Sequence, residues 1–123
     1  MNGLIRNILL IESESTLANL LYMELKEHGH KVIKVDDGQQ AINIIERQPI
    51  DILLSDLLVT EVDAFDVVKY IKDNKKKISV IVLSAYNKQD ILSKLKKIGV
   101  DYFLEKPLDD NQIDLLLNYI EAA

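Results

Sequence analysis

The stretch ILLSDLLVT, Ile52 to Thr60, is a run of strand-forming aliphatics interrupted by one aspartate, Asp56. A carboxylate in an apolar run is costly unless something pairs with it or uses it. Asp56 is therefore either the cap of a buried strand or the working group of a site. Other short apolar runs also end on polar residues: Glu12 and Ser13 follow ILLI, Ser84 closes SVIVLS, and Lys106 comes shortly after DYFL. Brought together, they would form a cluster of two carboxylates, two hydroxyls and one ammonium. A carboxylate can attack phosphorus and form an aspartyl phosphate. Such transfer needs little beyond positioning and neutralisation of charge. Asp56 as nucleophile, Lys106 as fixed cation, Ser84 as hydroxyl donor and a divalent cation held partly by Glu12 would supply the parts. Magnesium takes oxygen ligands and keeps several waters, so one or two carboxylates suffice.

The elements that must position these residues alternate between two periodicities. Short apolar runs over Ile5–Ile11, Lys31–Val35, Ile50–Ser55, Ser79–Ser84 and Asp101–Leu104 read as strands buried on both faces. Between them lie helical patterns. Leu17, Leu20, Leu21 and Leu25 follow Ser15, the expected N-cap, with Gly29 as a stop. Ala41, Ile44 and Ile45 mark a second helix, and Val67, Val68 and Ile71 a third. Ile91, Leu95 and Ile98 before Gly99 mark a fourth, and Ile113, Leu116, Leu117 and Ile120 a fifth. Five βα units imply an α/β fold: a doubly wound, flavodoxin-like parallel sheet of order 2-1-3-4-5 with helices on both faces. Strands 1 and 3 are then neighbours, and the crevice at their carboxyl ends is the default ligand site.

The 123 residues suit one domain over residues 1–123. No apolar run approaches the ~18 residues of a membrane span, and the N-terminus has no secretory pattern. The chain has no cysteine, which excludes disulfides and thiolate metal sites and suits the cytoplasm. The net charge of −5 gives no reason to expect nucleic-acid binding by the domain as a whole.

The motifs carry a resemblance to the receiver domain of response regulators in two-component signalling. ILLIESE resembles the first-strand motif, DILLSDLLVTEVDAFD the phosphoacceptor segment, VIVLSA the fourth-strand motif and GVDYFLEKPLD the fifth. The resemblance spans essentially the whole chain and implies a mechanism. A histidine kinase or phosphotransfer protein passes a phosphoryl group to Asp56, with magnesium held by Glu12, Asp56, Ser13 as a weak ligand and the Leu58 carbonyl. Ser84 and Lys106 bind the phosphoryl oxygens. Ser84 and Phe103 then switch, changing the surface of the fourth helix, fifth strand and fifth helix for a downstream protein, with a homodimer left open. The domain would catalyse at most its own phosphorylation and dephosphorylation. The Lys106–Pro107 bond is expected to be cis.

The chain departs from the family pattern at Ser13, where the second acid usually stands. A hydroxyl brings no charge, so magnesium should bind more weakly and phosphorylation should be slower or less metal-dependent. Glu14 would compensate only if its loop bent inward. Thr60, Ala64 and Phe103 replace the usual proline, glycine and tyrosine. These departures give weight to an alternative, a degenerate receiver acting as a phosphorylation-independent interaction module. A phosphohydrolase would want a second acid where Leu58 stands, and a cofactor-binding protein would want a Gly-rich loop, which is absent. Phe103 is either a switch or plain core. Lys75, Lys76 and Lys77 are expected in a solvated turn opposite the site, Lys94, Lys96 and Lys97 in the last turn of the fourth helix, and His28 and His30 on the surface.

Overall fold

The computed structural model describes residues 4–56, 64–85 and 89–123. Its elements are β1 (Asn7–Ile11), α1 (Ser15–Glu27), β2 (Lys31–Val35), α2 (Gly38–Arg47), β3 (Ile52–Asp56), α3 (Ala64–Asp73), β4 (Ser79–Ser84), α4 (Gln89–Ile98), β5 (Tyr102–Glu105) and α5 (Asp110–Ala122). All five strands are parallel, in the order β2-β1-β3-β4-β5. This is the doubly wound arrangement that the alternating periodicity implies.

Strand side chains alternate between two cores. Leu9, Ile11, Leu53, Val80 and Val82 meet Ala41, Ile45, Val67, Ile71 and Leu95 from α2, α3 and α4. Ile8, Leu10, Ile52, Leu54, Ile81 and Leu83 meet Leu21 and Leu25 of α1 and Leu116 and Ile120 of α5. The three central strands are nearly continuous aliphatic because both their faces are covered. The two edge strands depart from that expectation. β2 and β5 are only partly buried, since each has a neighbour on one side alone and helices cover them incompletely.

Boundaries differ from the sequence reading by one or two residues. β1 begins at Asn7, abreast of Lys31 on β2; Leu4 and Ile5 precede it and are exposed. β3 runs from Ile52 to Asp56, because the Asp51 side chain accepts the Asn7 amide at the strand's entry. Asp56 is thus the last strand residue. Ser15 is the first residue of α1 rather than its cap; Glu14 holds the cap position and makes no side-chain cap bond. At the other end of α1, Gly29 has φ +90°, and the His30 amide reaches back to the Leu25 carbonyl at 3.2 Å. Gly99 ends α4 in the same way, with φ +103° and the Val100 amide 3.1 Å from the Leu95 carbonyl. α3 ends with this geometry too, but Lys75 holds the left-handed position at φ +53°.

His30 is buried, against the expectation of surface histidines, while His28 is exposed. Its Nδ1 accepts the Arg6 backbone amide at 3.1 Å, and its Nε2 lies 3.6 Å from the Glu121 carboxylate. Arg6 continues past it to the carbonyls of Ile120, Glu121 and Ala123. The entry to β1, the start of β2 and the end of α5 are tied together there. Lys96 and Lys97 lie in the last turn of α4, whereas Lys94 sits a turn earlier with its ammonium 4.6 Å from the centre of the Phe65 ring. Among the described residues no helix is long and apolar enough to cross a membrane.

Candidate functional site

The polar residues named from the sequence meet at the carboxyl edge of the sheet. β1 and β3 are paired up to Ile11 opposite Ser55, so Glu12 and Asp56 both stand at the edge, one residue on. β4 lies on the other side of β3, with Leu83 abreast of Asp56 and Ser84 next along the strand. β5 brings Glu105 opposite Ser84, and the Lys106 amide donates to the Ser84 carbonyl at 2.8 Å. The Lys106–Pro107 peptide is cis, as expected.

Lys106 reaches inward from this anchor. Its Nζ lies 2.8 Å from Glu12 Oε1 and 3.0 Å from Oε2, and 3.5 Å from Asp56 Oδ2. The ammonium therefore rests mainly on Glu12 and only secondarily on Asp56. The Ser13 hydroxyl donates to the same Asp56 Oδ2 at 3.1 Å. Glu12 Oε2 also accepts the Glu14 backbone amide at 3.1 Å, which turns the chain into α1. Glu14 contributes that amide, while the residue itself is exposed. Behind Asp56, the buried Ser55 hydroxyl donates to the Asp56 carbonyl at 2.8 Å and steadies the strand end.

Glu12, Asp56 and Ser84 are all buried. Burial pushes the Glu12 carboxyl above its ordinary value, and the charge of Asp56 adds to this; the Lys106 hydrogen bond and the Glu14 amide oppose it. Glu12 Oε1 accepts no well-directed hydrogen bond among the described residues, although the ammonium is close. A buried carboxylate oxygen with spare acceptor capacity, next to a second carboxylate and a hydroxyl, is an all-oxygen set that fits a hard divalent cation. It is a sparse set: among the described residues no three acidic, histidine or cysteine side chains converge. Leu58 and Thr60 lie outside the described residues.

Phe103 stands apart from this cluster. It is half-buried on the opposite face of β5 from Leu104, against the core of α2, α3 and α4. A groove of about 310 Å³ between α4 and β5, lined by Leu92, Leu95, Val100 and Phe103 with Lys96 and Asp101 at its margins, opens beside it. The sequence reading missed the bond between Ser13 and Asp56 and the Glu14 amide. The only signal for either was the position of ESE directly after β1.

A five-stranded doubly wound sheet with two carboxylates and a lysine at its carboxyl edge defines the class of protein. Residues 8–118 match the response regulator receiver domain, and the chain belongs to that family. It is similar to the response regulator GtcR of Aneurinibacillus migulanus, with 31% identity over 104 residues, 85% of this chain and 43% of that protein. Sporulation initiation phosphotransferase F of Bacillus subtilis is 25% identical, with 92% of each chain covered. Among solved structures, the signal receiver domain of a putative LuxO repressor protein from Vibrio parahaemolyticus superposes with a TM-score of 0.87 at 28% identity, covering 97% of this chain and 92% of that one. The chain spans less than half the length of GtcR and of several other regulators it resembles.

Proposed function

We propose that the chain is a phosphoacceptor switch in which Asp56 takes a phosphoryl group from a histidine kinase or a phosphotransfer protein, in the cytoplasm. The observation that carries this reading is the position of the Lys106 ammonium, within 3.5 Å of Asp56 and 2.8 Å of Glu12 at one end of the sheet. An oxygen of the Asp56 carboxylate attacks phosphorus as the bond to the donor breaks; with a phosphohistidine donor, the P–N electron pair returns to the imidazole. Lys106 moves from Glu12 toward the new negative charge, and Ser84 donates to a phosphoryl oxygen. Glu12, Asp56, Ser13 and the Leu58 carbonyl would hold magnesium, more weakly than an acidic pair would. When bound, the cation supplies positive charge against the phosphoryl oxygens.

Ser84 and Phe103 then act as the switch pair: Ser84 moves inward and leaves space for Phe103, which lines the groove between α4 and β5, to rotate inward. The α4–β5–α5 surface changes its preference for a downstream protein. The domain is not an enzyme beyond its own phosphorylation and dephosphorylation. The serine at residue 13 is the observation behind a second reading, a receiver fold kept as an interaction module that no longer runs on phosphate.

Acetyl phosphate with magnesium, followed by intact mass spectrometry, separates the two. A phosphate-sized gain that Asp56→Asn abolishes supports the first reading. No gain in the unaltered chain supports the second.

A further inference from the structure

We propose that Ser13 is a positioning residue whose hydroxyl favours the unmodified Asp56 carboxylate and so shortens the life of the phosphorylated state. This rests on the reading of Asp56 as the phosphoacceptor. The ammonium of Lys106 makes its close contacts with Glu12, at 2.8 and 3.0 Å, and stands 3.5 Å from Asp56 Oδ2. The shorter contact to that oxygen is the Ser13 hydroxyl, at 3.1 Å. Ser13 does not cap α1, because Glu14 holds that position.

A hydrogen bond is stronger when its acceptor is charged. Phosphorylation turns the Asp56 carboxylate into a mixed anhydride, whose remaining carbonyl oxygen is neutral and a poorer acceptor. The donor at residue 13 therefore stabilises the resting form more than the phosphorylated one. It acts in the same sense during hydrolysis. A water oxygen bonds to phosphorus, the P–O bond to Asp56 breaks, and the carboxylate leaves with the electron pair. Inorganic phosphate carries away the water's protons, and Ser13 keeps its own while its bond to the departing carboxylate strengthens. With no cation between them, a carboxylate at residue 13 would repel the anion that forms. A serine has one proton and two lone pairs, so this role leaves its oxygen able to face a cation.

The test compares the unaltered chain with Ser13→Ala and Ser13→Thr. Each is phosphorylated with acetyl phosphate and desalted, and its intact mass is followed over time at saturating magnesium, with the magnesium affinity of each measured by calorimetric titration. Ser13 is exposed, and a thermal melt checks that both variants fold. Ser13→Ala is expected to lose its phosphoryl group roughly three- to fivefold more slowly, a modest factor because water competes at this partly exposed bond. Ser13→Thr, which keeps the hydroxyl, is expected to decay at the rate of the unaltered chain. An alanine variant that decays as fast or faster overturns the inference and leaves Asp56 as phosphoacceptor intact. An unaltered chain that gains no phosphate overturns both.

Discussion

Replacing Lys106 with methionine tests the electrostatics of the site without any phosphodonor. The ammonium lies 2.8 Å from Glu12 Oε1, with the lysine side chain 17% exposed and the glutamate side chain fully buried. Coulomb's law at that separation and an effective dielectric of about 20 gives an attraction of about 6 kcal/mol, before the desolvation of both charges is subtracted. Methionine keeps most of the volume and removes the charge, so Glu12 is left buried beside Asp56. Its carboxyl is already held above the ordinary value of 4.5 by burial, and it loses the hydrogen bond and the charge that opposed the rise. A folded-state pKa above the unfolded one means that the folded form binds more protons. Stability from that group is then fully present below the unfolded value and is lost as pH rises through the folded one. Each further tenfold gain in proton affinity costs about 1.4 kcal/mol at pH values above both. The variant should therefore lie close to the parent near pH 4.5 and fall behind by about 2–4 kcal/mol by pH 8. Urea unfolding of parent and variant across that range gives the difference directly. Glu12→Gln should remove most of it, since no buried charge remains to be orphaned. A penalty that stays constant with pH, or one that persists in the Glu12→Gln background, would refute the reasoning.

Two further outcomes follow from the fold. Burial holds the His30 imidazole below its ordinary value of 6.5, with His28 and Arg6 acting in the same direction and Glu121 against them; stability from the neutral ring is then complete above about pH 6.5 and lost as pH falls below it. Urea unfolding between pH 5.5 and 7.5 should show that loss in the parent and a flatter profile in His30→Asn, and equal slopes would count against it. The three left-handed helix ends should respond in opposite senses: Gly29→Ala and Gly99→Ala should each cost about 1 kcal/mol, while Lys75→Gly should stabilise by about 0.5 kcal/mol. A Cβ at Gly99 would come 2.5 Å from Lys72 Cε, the far part of a flexible side chain. Thermal melts should therefore show that Lys72→Ala does not rescue Gly99→Ala.

The sequence by itself determined the order of elements, the strand arrangement and which residues gather at one edge of the sheet. The order of elements follows from local periodicity, the strand arrangement from the match of five βα units to the smaller doubly wound pattern, and the shared edge from chain direction. Aliphatic runs as short as SVIVLS read as covered strands, parallel strands need crossovers, and the crossovers put every strand's carboxyl end on the same side. Glu12, Asp56, Ser84 and Lys106 were legible for that reason, although they lie as far as 94 residues apart in the chain. Only the tertiary structure decided what the side chains do once there. That Lys106 rests on Glu12, that Ser13 bonds to Asp56 and that His30 is buried depend on through-space neighbours, and no spacing along the chain encodes these. The half-covered state of β2 and β5 has the same origin. Coverage at a sheet edge depends on where the helices come to lie, whereas Lys31–Val35 and Tyr102–Glu105 carry strand-like patterns wherever they sit.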